Sequence, residues 1–212
     1  MNGVFAEFQD LLRTDPPRFN ASPKGLVLSK DEPWWADFIN RASEHARTHT
    51  SGVIREENLI MVHPYYQVLR TDIPSSRSKE AKTLEETLRK IYPQKYGRIL
   101  FESYPHYGLR THEWVDEGLI DKVVFTYNGR GVPLQLDELK EFSNSRTNYI
   151  CGVYGRACVT TASFAVMYYA PLLSIRPVRD AIVPGDFSLH PAVVLGAINS
   201  APSGVKSHDL NK

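Results

Sequence analysis

The sequence predicts an α/β domain in which helices cover both faces of a mainly parallel sheet, together with an N-terminal helical extension. From Asn58 onward, short apolar runs alternate with stretches of helical spacing, and parallel strands joined by crossover helices give this order. The apolar runs are continuous, as strands buried on both faces require. Residues 1–57 look different from the rest, because their apolar residues follow helical spacing. We therefore divide the chain into a helical extension, 1–57, and an α/β domain, 58–212.

The extension contains two predicted helices. Val4, Phe5 and Phe8 begin a helical pattern that Pro16-Pro17 stops, and a second helix begins near Pro33, a residue suited to a first helical turn. The stretch 47–52 is predicted to be a linker. A disordered tail does not normally hold so many aromatic residues, so we expect residues 1–50 to pack against the core or a second subunit.

Five strands and five helices are predicted in the α/β domain. The strands are 59–62, 98–101, 122–126, 148–153 and 172–175. The helices are 78–92, 112–119, 134–142, 158–169 and 190–199. In parallel sheets, ligands bind outside the carboxyl ends of the strands. The expected site therefore consists of the residues that follow the strands: His63, Glu102, 126–130, 154–158 and Asp180.

Composition and charge narrow the function classes. The chain has 25 basic and 24 acidic residues, a formal charge of +1, so we expect neither a nucleic-acid nor a membrane partner. The sequence has no run of about 18 apolar residues, so no membrane-spanning helix is predicted. The start also lacks the basic region of a signal peptide. The two cysteines do not form a disulfide framework, so a reducing, cytoplasmic location is expected.

The connection between the fourth strand and the next helix is the most informative stretch. The strand ends at Gly152-Val153, a turn containing Gly155 follows, and Cys158 lies in the first turn of an apolar helix. Unpaired backbone N–H groups and the dipole at a helix start stabilise a thiolate or an oxyanion, and Arg156 adds positive charge. The alternative is a small apolar residue packed at a helix start. Cys151, within the strand, is predicted to be a core residue.

These residues resemble the signature of the isochorismatase-like cysteine hydrolases. The matching residues are Gly152-Val153, Cys158-Val159, Thr161-Ala162, the Asp-Ala pair Asp180-Ala181 and the helix containing 136–139. The resemblance implies a three-layer α/β fold, often oligomeric, so a homo-oligomer is expected. It also implies hydrolysis of amides, or in one branch of a vinyl ether, by an Asp, a Lys and a Cys, with a small molecule as substrate or ligand and no cofactor.

The family's cysteine corresponds to Cys158, while its Asp and Lys are replaced. His63 stands where the Asp ends the first strand, and Phe125 or Thr126 stands where the Lys ends the third. Lys122 lies at the opposite end of that strand, which leaves Arg130 as the nearest cation.

We therefore predict a modified catalytic group. Cys158 attacks, His63 takes the thiol proton, and Glu102 orients the imidazole. The candidate residues for oxyanion or substrate binding are Ala157, Tyr154, Arg156, Asn128 and Arg130.

Two functional classes follow from these residues. The first is a cysteine-dependent hydrolase of a small amide-like substrate. The second is a non-catalytic member of the fold that binds a small molecule or a protein or serves as an assembly module, which the loss of the Asp and Lys favours. A metal site formed by Glu102, His106 and His112, with His63, is a further alternative. Their spacing matches no specific ligand pattern, so these residues are expected to be loop residues and no metal is predicted.

Overall fold

The described residues form a five-stranded parallel sheet in a computed structural model of the chain. The structure describes residues 33–64, 86, 95–126, 131–153, 158–170 and 174–183. The strands are β1 (Glu57–Val62), β2 (Gly97–Glu102), β3 (Lys122–Phe125), β4 (Thr147–Val153) and β5 (Ile175–Val183). Their order in the sheet is β3-β2-β1-β4-β5. The mainly parallel α/β architecture predicted from the alternation of strands and helices is therefore confirmed.

The described helices flank this sheet. They are α1 (Pro33–His49), α2 (Tyr104–His106), a π-helical turn (Tyr107–Thr111), α3 (His112–Asp116), a 3-10 helix (Leu136–Asn144) and α4 (Thr160–Met167). No helix among the described residues is both long and apolar enough to cross a bilayer. The predicted helices at 1–12, 78–92 and 190–199 lie outside the described residues, apart from a helical Glu86.

Two apolar cores lie on opposite faces of the sheet and give the three layers. Alternate strand residues point to opposite faces, so Leu59 and Met61 enter one core while Ile60 and Val62 enter the other. The first core includes residues of α1, the π-helical turn and α3, and the second includes the 3-10 helix and α4. Burying apolar strand residues on both faces fixes each strand's register.

A buried ion pair secures the amino-terminal edge of the sheet. Arg98 Nε lies 3.1 Å from Asp121 Oδ2, and Arg98 Nη2 lies 3.2 Å from Oδ1. The backbone N–H of Arg98 also donates to Asp121 Oδ2, and Arg98 Nη2 donates to the carbonyl of Gly118. Since the charged groups satisfy one another, the pair holds the start of β2 to the loop that precedes β3.

Three predicted elements differ from the structure. The fifth strand was predicted at 172–175, and its described residues are Ile175–Val183, so Asp180 lies within β5 instead of past its end. Helix α1 continues to His49, which places the first half of the predicted linker at 47–52 in a helix. The helix predicted at 134–142 is a 3-10 helix, Leu136–Asn144. Its two buried residues, Leu139 and Phe142, are three apart, which is the repeat of a 3-10 helix.

Candidate active site

The carboxyl ends of the four strands β1 to β4 meet at one edge of the sheet, as parallel pairing requires. Val62 pairs with both Phe101 and Gly152, and Glu102 pairs with Phe125. The residues at or just after these ends form a buried polar cluster, which we call the strand-end cluster: His63, Glu102, Ser103, His106, Thr126 and Cys158. The sequence predicted three of its members, His63, Glu102 and Cys158, as the catalytic group, and Thr126 as part of the site.

Glu102 organises one side of the strand-end cluster. Its Oε1 accepts the backbone N–H of Ser103 at 2.9 Å and lies 3.5 Å from His106 Nδ1. The Ser103 hydroxyl lies 2.6 Å from the same His106 nitrogen. Glu102 Oε2 is fully buried, and no described residue forms a hydrogen bond with it. This oxygen is therefore the polar atom that a bound molecule would satisfy most readily.

His63 forms the other side of the cluster. Its Nε2 lies 2.8 Å from Thr126 Oγ1, and its ring centroid lies 6.2 Å from that of His106. The backbone of His63 has φ 45°, a left-handed conformation that few residues other than glycine adopt, with asparagine, aspartate and histidine the most frequent among them. Thr126 directly follows β3, and its hydroxyl contacts the His63 ring.

Cys158 reaches the cluster from the turn before α4. It lies in a single π-helical turn with Val159, two residues ahead of the helix, and its side chain is buried. Gly131 packs directly against it, since a Cβ at this glycine would collide with the carbonyl oxygen of Cys158. Gly131 also has φ 61°, which favours glycine. The loop after β3 therefore contacts the cysteine turn through its backbone.

Burial favours the uncharged forms of the titratable groups of the cluster. It lowers the pKa of His63 to about 3 and lowers that of His106 well below its usual range, with the charge of His63 adding to the latter effect. It raises the pKa of Glu102 well above its usual value, although the Ser103 N–H opposes this. The 3.5 Å contact between His106 and Glu102 therefore joins two groups whose uncharged forms are both favoured by burial.

The Cys158 thiol differs from the sequence prediction. Burial, and then the nearby Glu102 charge, raise its pKa to about 12, while a backbone hydrogen bond lowers it. The position near a helix start had predicted a lowered pKa. The helix start has a smaller effect than the loss of water around the sulfur, because desolvation penalises the charged form directly. A nucleophilic Cys158 therefore requires a proton acceptor within the cluster.

Several residues predicted for the site are not part of the strand-end cluster as the structure describes it. Ala157, Tyr154, Arg156, Asn128 and Arg130 lie outside the described residues, and the side chain of Asp180 is also not described. Lys122 is at the opposite end of β3, where its Nζ pairs with Glu141 Oε2 at 3.0 Å. Cys151 is a core residue whose thiol lies 3.5 Å from the carbonyl of Ile60.

Ser103 was missed, and His106 was considered only as a metal ligand. The signal for Ser103 was available, because it directly follows the strand end at Glu102. His106 ends the short helix α2 that follows, and the turn of the chain after β2 brings it back to Glu102. His112, from the same metal alternative, lies elsewhere. Its Nδ1 is 3.1 Å from the carbonyl of Tyr107, and its ring lies 6.3 Å from His45.

One group among the described residues has three side chains spaced for a metal ion. Ligand atoms of His45, His49 and Asp116 lie within 4.8 Å of one another. The sequence analysis did not single out these residues, although the spacing His45-x3-His49 on a helix is itself a known ligand pattern. Asp116 could not be found in this way, because it is brought in by the packing of α3 on α1.

No protein-family model matches the chain, and no curated protein matches it. Among solved structures, the chain is similar to the MAR1 ribonuclease from Caenorhabditis elegans, with 14% sequence identity and a TM-score of 0.45. The similarity covers 74% of this chain and 80% of that protein. A likeness of this size says nothing about substrate or catalytic residues.

Proposed function

We propose that the chain is a cysteine-dependent hydrolase of a small amide-like substrate, with Cys158 as nucleophile and Glu102 as proton carrier. The supporting observation is that these two buried groups lie close enough for the Glu102 charge to raise the pKa of Cys158. They do so at the carboxyl ends of parallel strands, where α/β proteins bind ligands. The resemblance of the Cys158 motif to the isochorismatase-like hydrolases supports the same reaction class.

Glu102 suits the role of proton acceptor better than His63. Moving the proton from Cys158, with pKa about 12, to His63, with pKa about 3, spans about 9 pKa units, or about 12 kcal/mol. A turnover of about 10 per second allows a total barrier of about 16 kcal/mol, which leaves little for the chemistry. Burial raises the pKa of Glu102 in the same direction as that of Cys158, so transfer between these two groups costs less.

The reaction then proceeds in two balanced halves. The reaction begins in the molecules in which Glu102 is ionised. Their carboxylate takes the Cys158 proton, and the thiolate forms a bond to the substrate's carbonyl carbon. Glu102 returns the proton to the leaving nitrogen as the C–N bond breaks, which leaves a thioester on Cys158. Water then attacks the thioester, Glu102 takes the water's proton, and it returns that proton to the departing Cys158 sulfur. In this scheme, neutral His63 and Thr126 position the substrate by hydrogen bonding.

A non-catalytic binding role is the second candidate. Its support is that burial favours the uncharged forms of the two histidines, the carboxyl group and the thiol of the cluster. A site that disfavours charge suits a neutral ligand that satisfies Glu102 Oε2. This candidate needs no proton transfer, so it predicts binding without any covalent step.

Acyl trapping separates the two candidates. We expect an activated acetyl ester, incubated with the chain at pH 8, to place one acetyl group on Cys158, measured by intact mass and peptide mapping. Cys158→Ser abolishes the adduct, and Cys151→Ser, the matched control, retains it. Glu102→Gln slows both formation and hydrolysis of the adduct. A parent chain that acquires no acetyl group, while still binding small amides, would favour the binding role.

A further inference from the structure

We propose that His45, His49 and Asp116 form a binding site for a divalent transition-metal ion, Zn²⁺ in particular. The site lies between α1 and α3 and uses none of the residues of the strand-end cluster. Two imidazoles and one carboxylate are a ligand set typical of zinc with a fourth position open to water. The inference rests on the placement of the three side chains and on the hydrogen bonds that orient them.

The two histidines lie one helical turn apart near the end of α1. Side chains at positions i and i+4 project from the same face of a helix, and their rings stack at 4.2 Å between centroids with an interplanar angle of 16°. An i, i+4 histidine pair on a helix is a recurring zinc-binding arrangement. Asp116, the last residue of α3, completes the group with its Oδ1 2.8 Å from His45 Nε2.

The hydrogen bonds of His49 leave a ring nitrogen suited to a metal. His49 Nδ1 lies 3.0 Å from the carbonyl of His45, an acceptor to which it donates as Nδ1–H. In the neutral ring, Nε2 then carries the lone pair. A backbone carbonyl that fixes the tautomer of a ligating histidine is the usual arrangement around zinc.

Each ring nitrogen of His45 has a hydrogen-bond partner, and zinc binding would move the ring proton from one nitrogen to the other. Nδ1 lies 2.6 Å from the Tyr107 hydroxyl, and Nε2 lies 2.8 Å from Asp116. Without metal, Nε2–H donates to the carboxylate and Tyr107 donates to Nδ1. With zinc, the proton moves to Nδ1–H, which donates to the Tyr107 oxygen, and Nε2 binds the ion. The distance between Nε2 and the carboxylate oxygen must then widen to about 3.3 Å, which tetrahedral zinc bonds of about 2 Å require.

The burial of His45 and the exposure of the other two ligands suit metal binding. His45 is buried and its pKa is lowered, mainly by desolvation, so the imidazole is neutral and able to bind a cation at neutral pH. His49 is exposed and the Asp116 side chain is 42% exposed, which gives an ion access from solvent. The ion would join α1 to the segment that contains His106 of the strand-end cluster.

Zinc titration of the tag-free, reduced full chain tests the proposal, with a chromophoric chelator as competitor. We expect one equivalent of Zn²⁺ per chain and a higher melting temperature with zinc. His49→Ala and Asp116→Asn should each weaken binding at least about 10-fold, the lower limit seen even for partners that only orient a ligand. Glu44→Gln is the matched control, because Glu44 is an exposed residue of α1 that pairs with Arg47, and it should bind zinc as the parent does.

The proposal fails if the parent binds no stoichiometric zinc at micromolar concentration, or if the His49 and Asp116 variants bind as the parent does. It also fails if Glu44→Gln weakens binding equally, because the effect would then be one of general surface charge. A loss of zinc in Cys158→Ser, with retention in His49→Ala, would assign the ion to the strand-end cluster and overturn the proposal as well.

Discussion

The reactivity of Cys158 should depend on Glu102 and be independent of His63. At pH 8, a thiol of pKa about 12 is ionised in only about one molecule in 10⁴, whereas an ordinary thiol of pKa about 8.5 is about a quarter ionised. The more basic thiolate is intrinsically the better nucleophile, which recovers roughly 1.5 decades of the difference. We therefore expect folded Cys158 to react with a small disulfide reagent about 100-fold more slowly than the urea-unfolded chain.

Two substitutions separate the contributions of the neighbouring groups. Removing the Glu102 charge by Glu102→Gln should lower the pKa of the thiol, by about one unit for charges within roughly 12 Å at an effective dielectric constant of 20. The less basic thiolate is also the poorer nucleophile, so the reaction should then become about 3-fold faster, and only above the pH at which Glu102 ionises in the parent. His63→Asn should leave the profile unchanged, because His63 is already neutral. Asn also tolerates the left-handed backbone at this position.

The assay is the rate of thiol–disulfide exchange between pH 7 and 11, with Cys151→Ser as the background so that Cys158 is the one thiol observed. Two results would refute the reasoning. A midpoint near 8.5 in the folded chain would mean that the sulfur is not held in a dry cluster. A shift of the profile in His63→Asn, without one in Glu102→Gln, would restore His63 as the proton acceptor.

Three further predictions concern stability, each measured by urea unfolding. Folding lowers the pKa of His63 from 6.5 to about 3, so the unfolded chain binds more protons and the free energy of unfolding falls below pH 6.5. Between pH 7 and pH 5, His63→Asn should therefore lose about 2 kcal/mol less of this free energy than the parent does. Asp121→Ala should lower the free energy of unfolding by about 3–5 kcal/mol, because it leaves the buried Arg98 guanidinium without its carboxylate. Lys122→Ala breaks a pair with an exposed glutamate and should lower it by less than about 1 kcal/mol. Gly152→Ala should destabilise far more than Gly118→Ala, since both have positive φ but only at Gly152 would the Cβ collide with another strand; equal effects would contradict this.

The strand positions were predictable because continuous apolar runs are required wherever a sheet is covered on both faces. The fifth strand shows the limit of this rule. Leu172 and Leu173 suggested a strand at 172–175, whereas the observed β5 continues through Arg176 and Pro177 to Val183. Within the described sheet β5 is an edge strand with an irregular register against β4, and such strands tolerate proline and charge.

The members of the site were more predictable than their chemistry. The rule that ligands bind at strand ends found His63, Glu102 and Thr126, because it depends on topology alone. The protonation states depend on how much water reaches each group, which no local pattern records. The start of a helix near Cys158 predicted a lowered pKa, and the complete burial of the surrounding cluster reversed it. The π-helical turn Tyr107–Thr111, which separates His106 from α3, was not foreseen either.

Glu102 itself shows that the strand-end cluster is not arranged for stability. The folded chain raises the pKa of this carboxyl above its unfolded value, so above about pH 4.5 the unfolded state binds fewer protons and stability falls as the pH rises. The loss approaches about 1.4 kcal/mol per pH unit until the folded group ionises. Glu102→Gln keeps an acceptor for the Ser103 N–H and removes the titration, so its stability relative to the parent should grow from pH 5 to pH 8. If the difference stays constant across that range, burial does not raise the pKa of Glu102, and its carboxylate would be too weak a base to take the Cys158 proton as the proposed reaction requires.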